Sequence, residues 1–147
     1  MNQVNLQWAE LKGTNLTGAI LNGAVLKNAQ FIKANLQYTQ LQWAFCDGAM
    51  FNDADFRGAD MEGTLMQRTN LTNANLSKSS LRRVDLTEAN LKDANVDSTS
   101  VAEQDWLDKL TTWKTINSSY FQDFYQVVDD TSGRFKFGSL CLERITP

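Results

Sequence analysis

Large apolar side chains recur at every fifth position over the first two thirds of the chain: Leu6, Leu11, Leu16, Leu21, Leu26, Phe31, Leu36, Leu41, Cys46, Phe51, Phe56, Met61, Met66, Leu71, Leu76, Leu81, Leu86, Leu91, Val96 and Val101. Two residues before each lies a small side chain, as at Ala9, Thr14, Ala24, Ala34, Ala54, Ala74 and Ala94, with Val4 and Val84 the largest exceptions. The residue between them is often Asn or Asp. A spacing of five is not a helical face, because five steps of about 100° miss a full turn by about 140°. Nor is it a straight strand, since an odd spacing alternates sides with every repeat. The pattern therefore predicts a chain that turns a corner every five residues and sends one large and one small side chain inward on each side of a coil, a β-solenoid. Leu16, Phe31, Leu36, Phe51, Phe56 and Leu76 are among the expected core residues.

The charges indicate how many sides a coil has, because residues one coil apart stack about 4.8 Å from each other. At a separation of 20, Lys27 faces Asp47, Lys33 faces Asp53, Glu62 faces Arg82 and Arg68 faces Glu88, with no like-charged pair in the repeat. Separations of 15 and 25 mix like and opposite pairs equally. A four-sided coil is the one that avoids repulsion throughout. The column Asn15, Asn35, Asp55, Asn75, Asn95 also repeats every 20 residues, placing polar groups where they can bond the corner backbone.

On these residues, from Val4 to Val101, the chain resembles the pentapeptide-repeat family, whose pattern is small, Asn or Asp, Leu or Phe, then two polar residues. The resemblance implies a right-handed four-sided β-helix of about five coils, a rod about 24 Å long at strand spacing. The departures fall mostly at the middle position, where Ile20, Val25, Phe45, Met50 and Leu65 replace Asn or Asp.

After Val101 the period ends and aromatics crowd in, which divides the chain into a repeat region, 1–101, and a C-terminal capping or recognition unit, 102–147. Ser100 with Glu103 forms a capping-box pattern, and Trp106, Leu110 and Trp113 share one helical face, predicting a helix over about 101–114. Tyr120–Val128 and Arg134–Arg144 flank a turn-rich Asp129–Gly133 segment and predict a β-hairpin over about 120–144, with a bulge at Gly138. Such a unit would cover the open strand edges at the end of a solenoid. The repeat begins at Val4, so end-to-end homodimerisation at the N-terminal end, or through the C-terminal unit, stays open.

Composition narrows the chemistry. With 42% hydrophobic and 21% charged residues the chain reads as folded and globular, and its net charge of −3 offers no basic footprint for nucleic acid or an anionic membrane. The first residues lack a charged head and apolar run, so a cytoplasmic protein without a signal peptide is expected. The absence of histidine removes the usual proton-transfer group and metal ligand. Cys46 and Cys141 fit no redox or metal spacing, and Cys46 reads as a buried reduced thiol. A filled solenoid has flat outer walls and no cavity for catalysis. We expect no enzyme activity, no catalytic or metal-binding residue and no cofactor.

The candidate functional residues form an apolar stripe. Val25, Phe45 and Leu65 stack at the middle position of three successive coils, Trp43 lies on the adjacent corner, and Ile20 and Met50 lie on flanking walls. Rigid aromatics and aliphatics on a flat wall suit a protein partner, unless the C-terminal aromatics fold back over them. Trp8 and Tyr38 read as isolated outward aromatics. The expected function is a non-catalytic protein-interaction scaffold or regulator. Alternatives are an immunity-type inhibitor of a toxin and, by resemblance to the quinolone-resistance members of the family, a DNA-mimicking protein that binds DNA gyrase. The latter wants columns of acids, and no two acids within the repeat lie 20 residues apart.

Overall fold

A computed structural model describes residues 3–102, 106–112, 114–115, 125–129 and 140–145. The repeat region is a four-sided parallel coil. Every middle-position residue from Asn5 to Ser80 forms a parallel β-bridge with the residue 20 positions later, from Asn5 with Val25 through to Ser80 with Ser100. Each pentapeptide contributes one side of a square, and the coils number just under five.

Three backbone hydrogen bonds per pentapeptide join neighbouring coils, as in Leu26 N–H to Phe45 C=O at 2.8 Å, Asn28 N–H to Asp47 C=O at 3.0 Å and Phe45 N–H to Ala24 C=O at 2.9 Å. A fourth closes the corner, where the small residue donates to the large residue three positions before it, as Ala44 does to Leu41 at 3.0 Å. The third residue of each corner has positive φ, which together with this bond defines a type II turn. All nineteen corners from Trp8 to Ser98 obey this, with φ between 55° and 69°, although only six of the residues are glycine.

One donor remains in each pentapeptide, the N–H following the large residue, and the middle Asn or Asp supplies its acceptor. All ten such side chains accept from the N–H two residues on, as Asn75 does from Ser77 at 3.1 Å and Asp85 from Thr87 at 2.9 Å. This is why Asn and Asp occupy that position.

Inside the coil the large residues stack in four columns. Phe31 lies on Phe51 with centroids 5.1 Å apart, and Phe51 meets Phe56 edge to face at 5.0 Å. Phe31, Leu36, Phe51, Phe56 and Leu76 are fully buried, whereas Leu16, in the first coil, is only partly buried together with Leu6 and Leu11. That coil has a neighbouring coil on one side only among the described residues. Cys46 and Cys141 are free and buried, and burial, with the Asp47 charge adding, pushes the Cys46 thiol up so that it stays protonated. Of the stacked charges, Lys27 meets Asp47 at 3.3 Å, while Glu62 is met at 3.4 Å by Arg83, one residue beyond the expected Arg82.

The last coil passes into a small sheet. Strand β1, Ser100–Val101, pairs antiparallel with β3, Leu140–Arg144, which pairs in turn with β2, Tyr125–Asp129. Helix α1, Trp106–Thr112, begins later than the 101–114 expectation. Ser100 and Val101, at the expected start, instead form β1, with the Ser100 N–H bonded to Ser79 C=O, and residues 103–105 lie outside the described residues. Trp106, Leu110, Tyr125 and Leu142 are buried in one core with the solenoid interior. Leu142 exchanges backbone bonds with Ser98 and Thr99, at 2.7 and 2.8 Å, and Tyr125 Oη donates to Asp97 at 2.9 Å. Trp113, Gly138 and the segments 116–124 and 130–139 of the expected hairpin lie outside the described residues.

Three measurements test these assignments. Phe51→Ala should lower unfolding free energy by about 3–5 kcal/mol and Leu36→Ala by about 2–5 kcal/mol in urea titrations. Lys33→Gly, at an exposed corner with φ 58°, should raise it by up to about 1 kcal/mol by relieving the left-handed backbone. Partial burial of Asp55 works against its charge, but hydrogen bonds from the Arg57 side chain and N–H and from Gln37 prevail and hold its carboxyl below the usual value. The stability this adds is present above the unfolded pKa of about 3.9 and is lost as pH falls through the lower folded value. Asp55→Asn keeps the bond to the Arg57 N–H, so its stability should fall less on acidification than that of the wild type.

Candidate protein-interaction surface

The middle-position side chains point outward and stack one coil apart on each wall. Val25, Phe45 and Leu65 are consecutive members of one column, bridged Val25 to Phe45 and Phe45 to Leu65, between Asn5 and Asp85. They are half-buried and not open to solvent as a bare stripe, because each covers part of the next. Lys27 Nζ also lies 5.9 Å from the centre of the Phe45 ring while pairing with Asp47. The corner beyond Phe45 holds a cleft of about 420 Å³ lined by Lys27, Asn28, Asp47, Gly48 and Arg68, so that edge of the wall is polar.

The opposite corner is apolar and open. Trp43 is 58% exposed, and Ile20, on the next wall and one coil lower, is 69% exposed. Ile20, Trp43 and the Val25–Phe45–Leu65 column thus share one edge of the prism. Met50, 37% exposed in a column with Gln30 and Asn70, lies on the far side of the Phe45 wall and does not join them. Trp8 is exposed at the polar corner of the first coil, below Asn28.

Tyr38, 65% exposed, is the aromatic that reading the sequence residue by residue passes over. It sits on the corner preceding Trp43, so the two rings flank the wall carrying Gln40. Each ring lies across a glycine of the following coil: a Cβ at Gly58 would collide with the Tyr38 ring, and one at Gly63 with the Trp43 ring. The signal was present as two parallel columns, Gly18, Tyr38, Gly58 and Gly23, Trp43, Gly63, legible once corners are aligned every 20 residues. Between the rings the wall is held by side-chain bonds, Asn22 to Gln40 at 3.3 Å and Gln42 to Asp60 at 2.6 Å.

No three His, Cys, Asp or Glu side chains converge on a metal-sized site among the described residues. No described helix is long and apolar enough to cross a membrane. The geometry is that of a regular wall with outward side chains repeated once per coil.

Comparison with known proteins agrees with the coil geometry. The pentapeptide-repeat pattern matches in eight copies, spanning residues 1–37, 9–45, 34–68 and 65–100. Among solved structures, HetL, a pentapeptide-repeat protein from the cyanobacterium Nostoc involved in heterocyst differentiation regulation, is 32% identical with a TM-score of 0.64, over 67% of this chain and 47% of HetL. Rfr23, a pentapeptide-repeat protein from the cyanobacterium Cyanothece, is 25% identical with a TM-score of 0.52, over 74% of this chain and 63% of Rfr23. The chain thus spans about half of the first protein's length and under two thirds of the second's. No curated protein matches by sequence. With bridges every 20 residues, a turn every five and the repeat pattern matched over residues 1–100, the chain belongs to the pentapeptide-repeat family and folds as its right-handed four-sided β-helix.

Proposed function

We propose that this protein is a non-catalytic interaction module whose binding surface is the prism edge made by Trp43, with Ile20 on one side and Val25, Phe45 and Leu65 on the other. The observation that carries this reading is the exposure of Ile20, Tyr38 and Trp43, three large apolar side chains clustered on a backbone held by ladder bonds. Anchors fixed in advance lose little freedom on binding, which favours association. The likeness to HetL supports a regulatory role exerted through a protein contact, the family being generally a non-catalytic scaffold. A second copy of the chain is the competing occupant, and molecular mass separates it from a different protein.

The fold supplies a clean test. Asn at positions 45 and 65 would accept the N–H bonds that Asn and Asp accept elsewhere, so Phe45→Asn/Leu65→Asn should fold with an unchanged or higher midpoint. Combined with Trp43→Ser, it should abolish capture of a specific partner from an extract of the source cells, or convert a dimer to a monomer by light scattering. Unchanged capture and mass in the folded variant would move the binding surface elsewhere.

A further inference from the structure

The two corners that flank the Gln40 wall carry the same sequence of side chains, coil by coil. One reads Gly18, Tyr38, Gly58, Lys78 and the other Gly23, Trp43, Gly63, Arg83. On each corner the aromatic ring overlies the glycine of the next coil, and a cation follows on the coil after it, about 4.8 Å further on. The wall column between them, Ile20, Gln40, Asp60, Ser80, becomes short and polar beside the cations. The result is a track along the solenoid axis, with an aromatic pair at one end and a cationic pair at the other.

Charge on this track departs from that of the whole molecule. Arg57, Lys78, Arg82 and Arg83 border it against three carboxylates, Asp60, Glu62 and Asp97, the last bound by Tyr125 and Arg144, within a chain of net charge −3. Asp60 is held by the Gln42 amide and the Glu62 N–H. Arg57 is held by both oxygens of Asp55, round the corner on the neighbouring wall. Glu62 touches Arg83 at 3.4 Å, yet the Arg83 side chain remains 61% exposed, and Lys78 is exposed as well. The cationic end is therefore open to an incoming carboxylate.

We propose that this track receives an extended acidic segment of a partner protein, with a bulky apolar residue seated between Tyr38 and Trp43 and an Asp or Glu between Lys78 and Arg83. This names the partner class for the interaction reading above and rests on it. The rings overlie the Gly58 and Gly63 coil, one coil spacing short of Lys78 and Arg83, and an extended chain advances about 3.3 Å per residue with alternate side chains on one face, so the two anchors lie two residues apart in the bound segment. Charge complementarity of this kind selects partners and speeds encounter, while the apolar anchor supplies affinity.

The test is selection of a random peptide display library on the full chain, with the recovered peptides titrated against Lys78→Glu/Arg83→Glu. Glu88 already occupies a left-handed corner, so Glu is compatible with these positions. Recovered peptides should share a bulky apolar residue two positions from Asp or Glu. They should weaken about ten-fold or more against the double variant and with rising salt, and regain affinity for it when their acid is changed to Lys. Recovery of nothing, of peptides without the acid, or of peptides indifferent to charge reversal would overturn the inference. If the extract partner is still lost with Trp43→Ser under any of those outcomes, the interaction reading stands and the acidic segment alone falls; if that partner also binds unchanged, both fall.

Discussion

A chain that turns a right angle every five residues must put a left-handed residue at each corner, and everything else in the solenoid follows from meeting that requirement nineteen times. Thirteen of the corner residues carry a Cβ, and all but the four Asn and Asp among them are strained by about 1 kcal/mol relative to an ordinary backbone. What holds them is the ladder: three bonds to neighbouring coils and one across each corner, backed by a core in which every coil after the first buries its large side chains. Local strain is over-determined by its surroundings, the condition under which strained backbone persists. The corner is also where the side chain projects furthest from the wall, so the residues that bear strain are those best placed to touch a partner. Trp43 and Tyr38 stand at such corners, and both are exposed.

The same ladder creates the need for the C-terminal unit. The final coil would otherwise present unpaired N–H and C=O groups and the ends of four core columns. Strand β3 takes the backbone groups through Leu142, while Trp106, Leu110 and Tyr125 close the core. A polar latch finishes the seam, with Tyr125 donating to Asp97 and Arg144 donating to Tyr125. Burial, countered in part by Arg144, raises the Tyr125 phenol above its ordinary pKa, so it stays protonated and keeps its bond to Asp97. The described unit thus continues the solenoid's interior and sheet edge instead of standing beside them.

The period of five and the 20-residue recurrence of charge were enough to read the coil, because both are consequences of backbone geometry repeated many times. Exposure was less legible. The Val25, Phe45, Leu65 column looked bare in sequence, yet stacking and the Lys27 side chain half-bury it, and neither effect has a signature within one repeat. Tyr38 looked isolated because its significance lies in its match with Trp43 five residues on and with the glycines 20 residues on either side. The Ser100–Glu103 pattern is local, whereas Ser100 is drawn into strand β1 by a bond to Ser79 on the coil before it. The absence of acid columns was legible and holds for the walls: Asp55 stacks between Asn35 and Asn75, Asp60 between Gln40 and Ser80, and Asp85 on Leu65. A wall of this kind offers no line of negative charge resembling a phosphate backbone.

The middle position is where folding and binding compete for the same side chain. Asn or Asp there gives a corner N–H its acceptor and stabilises the turn; an apolar residue cannot. At Ile20, Val25, Phe45, Met50 and Leu65 the chain forgoes that acceptor, a loss of about 1 kcal/mol for each hydrogen bond left to solvent. One compensation is visible, since Gln42, which follows a glutamine at the middle position, takes its acceptor from Asn22 of the coil below. Departures from a locally consistent pattern without an equal gain in packing are expected at functional surfaces. Four of the five departures gather round the Trp43 corner, on walls whose outward side chains add little to the core. The interaction surface proposed on this edge would account for that cost.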